Sequence, residues 1–487
     1  MIRKSVKIIA FFLILSVLLL RFHQVFRFKF NDGIYGMEQF YEEEENSLDA
    51  IFFGSSHMYV NVNTSVLWKE YGIAGYDLGG SEQPIWNSYY YVKEALKTQR
   101  PSVLALDCYT ACRTGDYVDE SRIIKNTYGM KFSRDKVDAV KASAPESDRV
   151  GYLLEYPTYH GRYGDLSRND YRRFADTDFI GSNLWKGQYL HTSIHSQPWP
   201  EPEEITDTEA LDERNEAYLR GIIELAKEAG VPILLMVVPY VTDPEETRMY
   251  NRIAEIAKEY GENVDFVNFN SHWEEMGLDF STDYTDACHM NYRGSEKFTR
   301  YLAEYLKVRY ELADHRGEAV YQSYDSMTRY YERFVYNDQI RKTTDISEYL
   351  AKLWNPDYVT VFFIKSDYKS MSNYNEIRDL LAGYGISLDM VSGDAVWVTR
   401  NGTALFSSGD DAEYCWHQEL GRYDVLTVQS GSGEEEKPVP QVLLNDSSYS
   451  AVNDGLNILT YDLVGEDLVE CVGFAIVDGT MEIEKRG

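Results

Sequence analysis

"IFFGSSHMYV", residues 51–60, is the stretch on which the reading of this chain turns. Ile51 to Phe53 form a short apolar run that ends in Gly54, Ser55, Ser56 and His57. An apolar run closed by glycine and serine predicts a buried strand that breaks into a turn. The turn either ends the strand and nothing more, or presents Ser56 as a nucleophile. Which of the two holds depends on whether the rest of the chain supplies a parallel sheet and a base.

Outward from this point the pattern alternates. "NTSVLWKEYGI" has helical spacing, "AGYDLGGSEQ" reads as a second strand breaking at glycine, and "NSYYYVKEALKTQRP" reads as a helix stopped by Pro101. "SVLALD" is a third strand, "VPILLMVVP" a fourth and "VDFVNFN" a fifth, with amphipathic helices between and after them. Nearly unbroken apolar strands alternating with helices predict an α/β fold, a parallel sheet covered by helices on both faces. Residues 113–205 break the rhythm with a Tyr- and Arg-rich stretch, expected as a cap over the carboxyl ends of the strands. A helical linker is expected over 315–353. Beyond it, over 354–487, short runs punctuated by Gly, Asn and Asp predict a separate α+β or mainly β module.

The chain has 487 residues, with 79 acidic against 48 basic residues and a formal charge of -31. Such a surface repels phosphate, which argues against a nucleic-acid partner. At the N-terminus Arg3, Lys4 and Lys7 precede an uncharged run from Ile8 to Leu20, and Arg21 follows it. The expectation is an uncleaved signal anchor over residues 1–28, with a cleaved signal peptide as the alternative. Either way the chain from about residue 30 onward is exported, and as an uncleaved anchor it would be a single-pass protein of the cell membrane with its later domains outside. Five cysteines leave two readings open. Cys288 could bridge to Cys108 or Cys112, and Cys415 to Cys471, or all could be buried thiols. No zinc site is expected, since there is no CxxC pair and "HTSIH" (His191, His195) lacks a metalloprotease Glu. No cofactor is implied.

A base for Ser56 is found in "TDYTDACHMNYRGSEKF", where Asp286 stands three residues before His289 after the fifth strand. A carboxylate so placed can hold the imidazole N–H, and both lie at the sheet edge that carries Ser56. Nucleophile, base and orienter then meet as in acyl transfer.

This arrangement resembles the SGNH, or GDSL, hydrolase superfamily over about residues 48–310. Gly54-Ser55-Ser56 matches its first block, with Ser55 where the family has Asp, and Asp286-Ala287-Cys288-His289 matches its last. "LGGSEQ" stands where the family keeps an oxyanion glycine. The resemblance therefore implies an SGNH-type α/β/α domain over 29–314, with catalytic Ser56, Asp286 and His289. It also implies an oxyanion hole from the N–H groups of Ser56 and Gly80. The family's third-block Asn has no counterpart in "ALDCYTAC"; either Gln83, Asn87 or Tyr109 supplies the donor, or the hole is weaker by one.

The anchor and the GSS block look most like exported members such as the DltD-like and alginate O-acetylation proteins, which work beside membrane-bound O-acyltransferases. "YHGR" looks similar to a stretch in such relatives, making His160 and Arg162 candidate substrate contacts together with His57 and Tyr109. "GLNILTYDLVGEDLVECVGFAI", with "YVTVFFIKSDYKS" and "DAVWVTRNGTALF", resembles an interleukin-like (ILEI/PANDER-like) domain, which implies glycan contact. The expected activity is that of an extracytoplasmic serine esterase or O-acyltransferase acting on acyl groups of a cell-envelope polysaccharide or teichoic acid. A non-catalytic glycan-binding or scaffold protein is the rival. A metal-dependent hydrolase using His57, Asp107, Asp286 and His289 is a third reading.

Overall fold

All five apolar runs become strands. β1 (Ala50–Gly54), β2 (Gly75–Gly79), β3 (Val103–Asp107), β4 (Ile233–Val237) and β5 (Val264–Asn268) form one sheet in the order β2-β1-β3-β4-β5. Every pairing in it is parallel. β1 to β4 are buried at each position, which is why their sequences run apolar without alternation. This computed structural model describes residues 2–113, 119–166, 170–171, 185–200, 205–365, 374–388, 394–408, 413–422, 424–430, 440–451, 455–477 and 480–486.

The described α-helices of six residues or more in the first unit, Met1–Arg329, are α1 (Ile2–Phe26), α2 (Ser56–Asn61), α3 (Thr64–Tyr71), α4 (Ile85–Thr98), α5 (Glu120–Thr127), α6 (Arg134–Ser143), α7 (Arg149–Leu154), α8 (Glu213–Ala229), α9 (Pro244–Tyr260), α10 (Tyr292–Tyr310) and α11 (Gln322–Lys342), whose last turns belong to the second unit. One sheet face, with Ile51, Phe53 and Leu235, packs on Tyr91 of α4, Ile222 of α8 and Ile253 of α9. The other, with Phe52, Leu234 and Met236, packs on Leu67 of α3 and Phe298, Leu302 and Leu306 of α10. Helices thus cover both faces. α1 is apolar enough over Ser5–Phe26 to cross a membrane or serve as a signal sequence.

Two expectations need correction. The helical part of the 113–205 insertion lies over the strand ends only in part: Asn126 of α5 meets Gly80 and Ser81 just past β2, while α6 packs away from them. α6 packs beside α4, and α5 packs beside the chain that leaves α1. Aromatic side chains explain this placement, because Tyr128, Tyr152 and Tyr159 share a core with Phe22, Phe26, Phe28 and Phe30. The extended stretch after Trp185 also reaches the edge that carries Ser56. Nor is 315–353 an independent linker. Tyr324 and Met327 of α11 belong to the first core and Ile340 to the second, and the unit boundary falls at Arg329/Tyr330.

The second unit, Tyr330–Gly487, contains α12 (Ile346–Leu353), α13 (Tyr374–Ala382) and ten strands. β6 (Tyr358–Lys365), β7 (Ala395–Arg400), β8 (Thr403–Ser407), β13 (Gly455–Asp462), β14 (Asp467–Val477) and β15 (Thr480–Arg486) form an antiparallel sheet in the order β15-β14-β13-β6-β7-β8. β9 (Cys415–Leu420), β10 (Asp424–Ser430), β11 (Pro440–Leu444) and β12 (Ser447–Ser448) form a second one. The larger sheet carries α12 and α13 on one face through Leu350 and Ile377, and the smaller sheet on the other through Leu426 and Val442. Cys415 is exposed and Cys471 buried, and no disulfide joins them; nor does Cys288 bridge to Cys108 or Cys112.

Candidate active site

The turn after β1 is built around Gly54, whose φ of +154° favours glycine. A Cβ there would come within 3.1 Å of the Asp107 Cβ and 3.2 Å of the Met58 Cβ. Ser55 then caps α2: its Oγ accepts the His57 N–H at 3.3 Å. Ser55 is therefore a helix cap, and Ser56 is the first residue of the helix.

His289 lies in a tight turn bracketed by the Tyr284–Met290 bridge, just ahead of α10. Its Nε2 is 2.8 Å from Ser56 Oγ, and its Nδ1 is 2.8 Å and 2.9 Å from the two Asp286 oxygens. Nδ1 facing a carboxylate carries the proton, which leaves the Nε2 lone pair for the Ser56 hydroxyl. Asp286 Oδ1 also accepts the backbone N–H groups of Cys288 (2.8 Å) and His289 (2.9 Å). Burial pushes the Asp286 carboxyl up, but these hydrogen bonds and the His289 contact outweigh it and hold it below its ordinary value. The turn, not helical spacing, brings the two side chains together.

Asn61 locks this turn to the helix that begins at Ser56. Its Nδ2 donates to the Cys288 carbonyl at 3.1 Å and its Oδ1 accepts the Met290 N–H at 2.7 Å, one on each side of His289. The side chain is fully buried. Ser56 and the backbone around His289 are thus held by opposite ends of one six-residue helix.

Tyr59, one turn along from Ser56 on α2, is buried with its hydroxyl near the Ser81 and Ser56 side chains. The pairing of Gly79 with Gly54 sets the Gly80–Ser81 turn beside Ser56. Burial raises the Tyr59 hydroxyl far above its ordinary value, so it stays protonated and able to donate. Gly80 has no room for a side chain: a Cβ would meet Asn126 Oδ1 at 2.2 Å and the Gly33 Cα at 3.3 Å.

Other expected site residues fall elsewhere. Gln83 is fully buried; its Nε2 donates inward to Asn126 Oδ1 (3.2 Å) and its Oε1 accepts the Ser88 hydroxyl (2.9 Å). Asn87 is likewise committed, to the Asn126 carbonyl and the Ser143 hydroxyl. Neither amide points to the nucleophile. His57 is 1% exposed and meets no solvent. Its ring stacks on Tyr109 at 3.9 Å, abuts Tyr240 at 4.7 Å and lies 5.9 Å from the His289 ring. Burial first, then the His289 and Arg113 charges, push His57 well below its ordinary value, so it is a neutral wall of the site.

Tyr109 is half-buried; its hydroxyl contacts the Cys288 thiol and its face carries the Arg113 guanidinium at 4.1 Å. Arg162 is remote from these residues: it donates to the carbonyls of Phe26 (2.8 Å) and Arg27 (2.5 Å) at the end of α1. The side chain of His160 lies outside the described residues.

Along the site runs the stretch from Trp185 to Gln197, pinned by hydrogen bonds from Tyr189 N–H to the Tyr59 carbonyl (2.8 Å) and from Tyr292 N–H to the His191 carbonyl (2.9 Å). It sets the His191 ring 6.4 Å from that of His289 and leaves Tyr189 exposed. Comparison with protein-family models, with curated proteins and with solved structures yields no match to this chain.

Proposed function

We propose that this chain is an SGNH-type serine esterase or O-acyltransferase, anchored by α1 and acting outside the cytoplasm on acyl groups of a cell-envelope glycopolymer. The observation that carries the reading is the unbroken relay from Ser56 Oγ through His289 to Asp286. Ser56 Oγ attacks the acyl carbonyl while His289 Nε2 takes its proton. The tetrahedral oxyanion is held by the backbone N–H groups of Ser56 and Gly80, and the Tyr59 hydroxyl takes the place of the family's third-block Asn. Collapse expels the sugar hydroxyl, which takes the proton back from His289 and leaves an acyl-Ser56 ester. His289 then removes a proton from water or from a second hydroxyl, which releases the acyl group as acid or as a new ester. Asp286, held ionised by its two backbone N–H groups, keeps the imidazole in the tautomer that both steps need.

A membrane-bound O-acyltransferase is the proposed donor partner, and the second unit, interleukin-like by its sequence, the proposed glycan-positioning module. The test is a fluorophosphonate probe together with release of acetate from an O-acetylated polysaccharide. Labelling and release in the wild type, both lost in Ser56→Ala, are expected. Equal labelling of both proteins would return the chain to a binding or scaffold role.

A further inference from the structure

The uncharged run of α1, Ile8 to Leu20, covers only about 20 Å of helix, whereas the hydrocarbon core of a bilayer is about 30 Å thick. The turns that would complete the span, Arg21 to Phe26, are clad by the insertion. The Phe22 and Phe26 rings stack at 4.3 Å, Tyr156 lies parallel to Phe22 at 5.8 Å, and Tyr163 meets Phe26 edge-on at 4.9 Å. The Tyr156 hydroxyl donates to the Leu19 carbonyl at 3.3 Å, inside the apolar run itself. Tyr159 is hydrogen-bonded to His23, and Arg162 closes the helix end. The insertion is therefore built onto the anchor at the depth of its own apolar residues.

The same segment turns apolar side chains outward. Val150 is 64% exposed and Leu154 59%, four residues apart on one face of α7, with Tyr156 and Tyr163 also exposed beside α1. In a chain with 79 acidic residues, the stretch from Arg149 to Gly164 has Glu155 as its one acid, and that is paired with Lys136 at 2.6 Å. Apolar residues flanked by tyrosines and almost free of carboxylates are the composition of a membrane interface.

We propose that Val150, Leu154, Tyr156 and Tyr163 seat in the boundary between headgroups and hydrocarbon, so that the insertion and α1 together complete the span. This rests on the reading of α1 as an uncleaved membrane anchor. It has a consequence for the site. Gly33, whose Cα packs against Gly80, is seven residues past the end of α1, a reach of at most about 25 Å. The oxyanion turn is thereby held close to the membrane surface, where an acyl donor embedded in the bilayer would release its cargo.

The test uses the full chain in phosphatidylcholine vesicles, with the photo-crosslinker p-benzoylphenylalanine replacing one residue at a time: Leu13 in α1, Leu154 in the insertion and Val308, which is 81% exposed on α10. Lipid adducts at Leu13 and Leu154 and none at Val308 are expected. Adducts at Leu13 alone overturn the seating and leave the anchor standing. Adducts at none of the three overturn the anchor reading and the seating with it. Adducts at all three mark unselective contact and overturn the seating too.

Discussion

Two histidine–aspartate pairs lie at the same edge of the first sheet and are built in opposite ways. His289 and Asp286 share two short contacts, and the Asp286 side chain is 55% exposed. His57 and Asp107 are both buried, their nearest atoms 3.9 Å apart, and neither ring nitrogen of His57 has a hydrogen-bond partner among the described residues. The first pair is reached by both solvent and Ser56, as the proposed proton transfer requires. The second is packed between Tyr109 and Tyr240 and shapes the wall behind the first. Residue type alone does not make a catalytic dyad; a partner for each nitrogen does.

The comparison can be broken at its strongest point. Ser56→Ala or His289→Ala should lower kcat for acetyl-ester hydrolysis by about 10⁴-fold or more, with the fold retained by circular dichroism. His57→Phe, which keeps a ring between the two tyrosines, should leave kcat within about one order of magnitude, since no proton passes through it. If the two substitutions cost the same, the pairs have been assigned the wrong way round.

Tyr59→Phe should reduce kcat by about 10²-fold with little change in KM, the mark of a donor that acts on the developing oxyanion. Retained kcat would remove Tyr59 from the hole.

The buried pair makes a pH prediction. Burial pushes Asp107 up to about 7, partly offset by the backbone N–H groups of Val238 and Tyr109. A carboxyl whose folded value is raised binds its proton more tightly in the folded state. Its stabilisation is full below the unfolded value near 4 and is lost as pH rises towards 7. Between pH 5 and pH 8 the wild type should therefore lose about 2 kcal/mol relative to Asp107→Asn, measured by urea denaturation. No difference in slope between the two proteins would mean that Asp107 titrates normally.

The smallest effect is expected at the clamp. Asn61→Ala should lower kcat about 10-fold with KM nearly unchanged, and Asn61→Asp, which keeps the acceptor for Met290 N–H but not the donor, should fall between. Equal losses of kcat and thermal stability in both variants would reduce Asn61 to a packing role.

The five parallel strands and the meeting of Ser56, His289 and Asp286 were legible because each rests on local pattern: apolar runs of strand length, and motif residues at strand ends in the right order. What could not be read depends on distant partners. Gln83 looked free to donate, but Asn126, 43 residues further on, claims its amide. Arg162 looked like a substrate contact, yet the carbonyls it meets belong to residues 135 and 136 positions earlier. Tyr59 and Asn61 sat unnoticed in "HMYVN", where nothing local separates a working side chain from a core one. Three-residue spacing from Ser56 was the signal for Tyr59, visible once the stretch is known to be a helix. In the second unit the strands were readable but the pairing of β6 with β13 was not, because it closes a loop of about a hundred residues.

Gly33 and its neighbours bear on how this protein can be handled in the laboratory. Ile34, Tyr35, Met37 and Phe40 are buried in the first unit, and Gly33 fits under a carbonyl that any side chain would strike. A water-soluble version should therefore begin near Phe22, before this segment rather than after it. Cutting beyond residue 40 would pull a plug from beneath the Gly80 turn, and an inactive product of that kind would say nothing about the chemistry of Ser56.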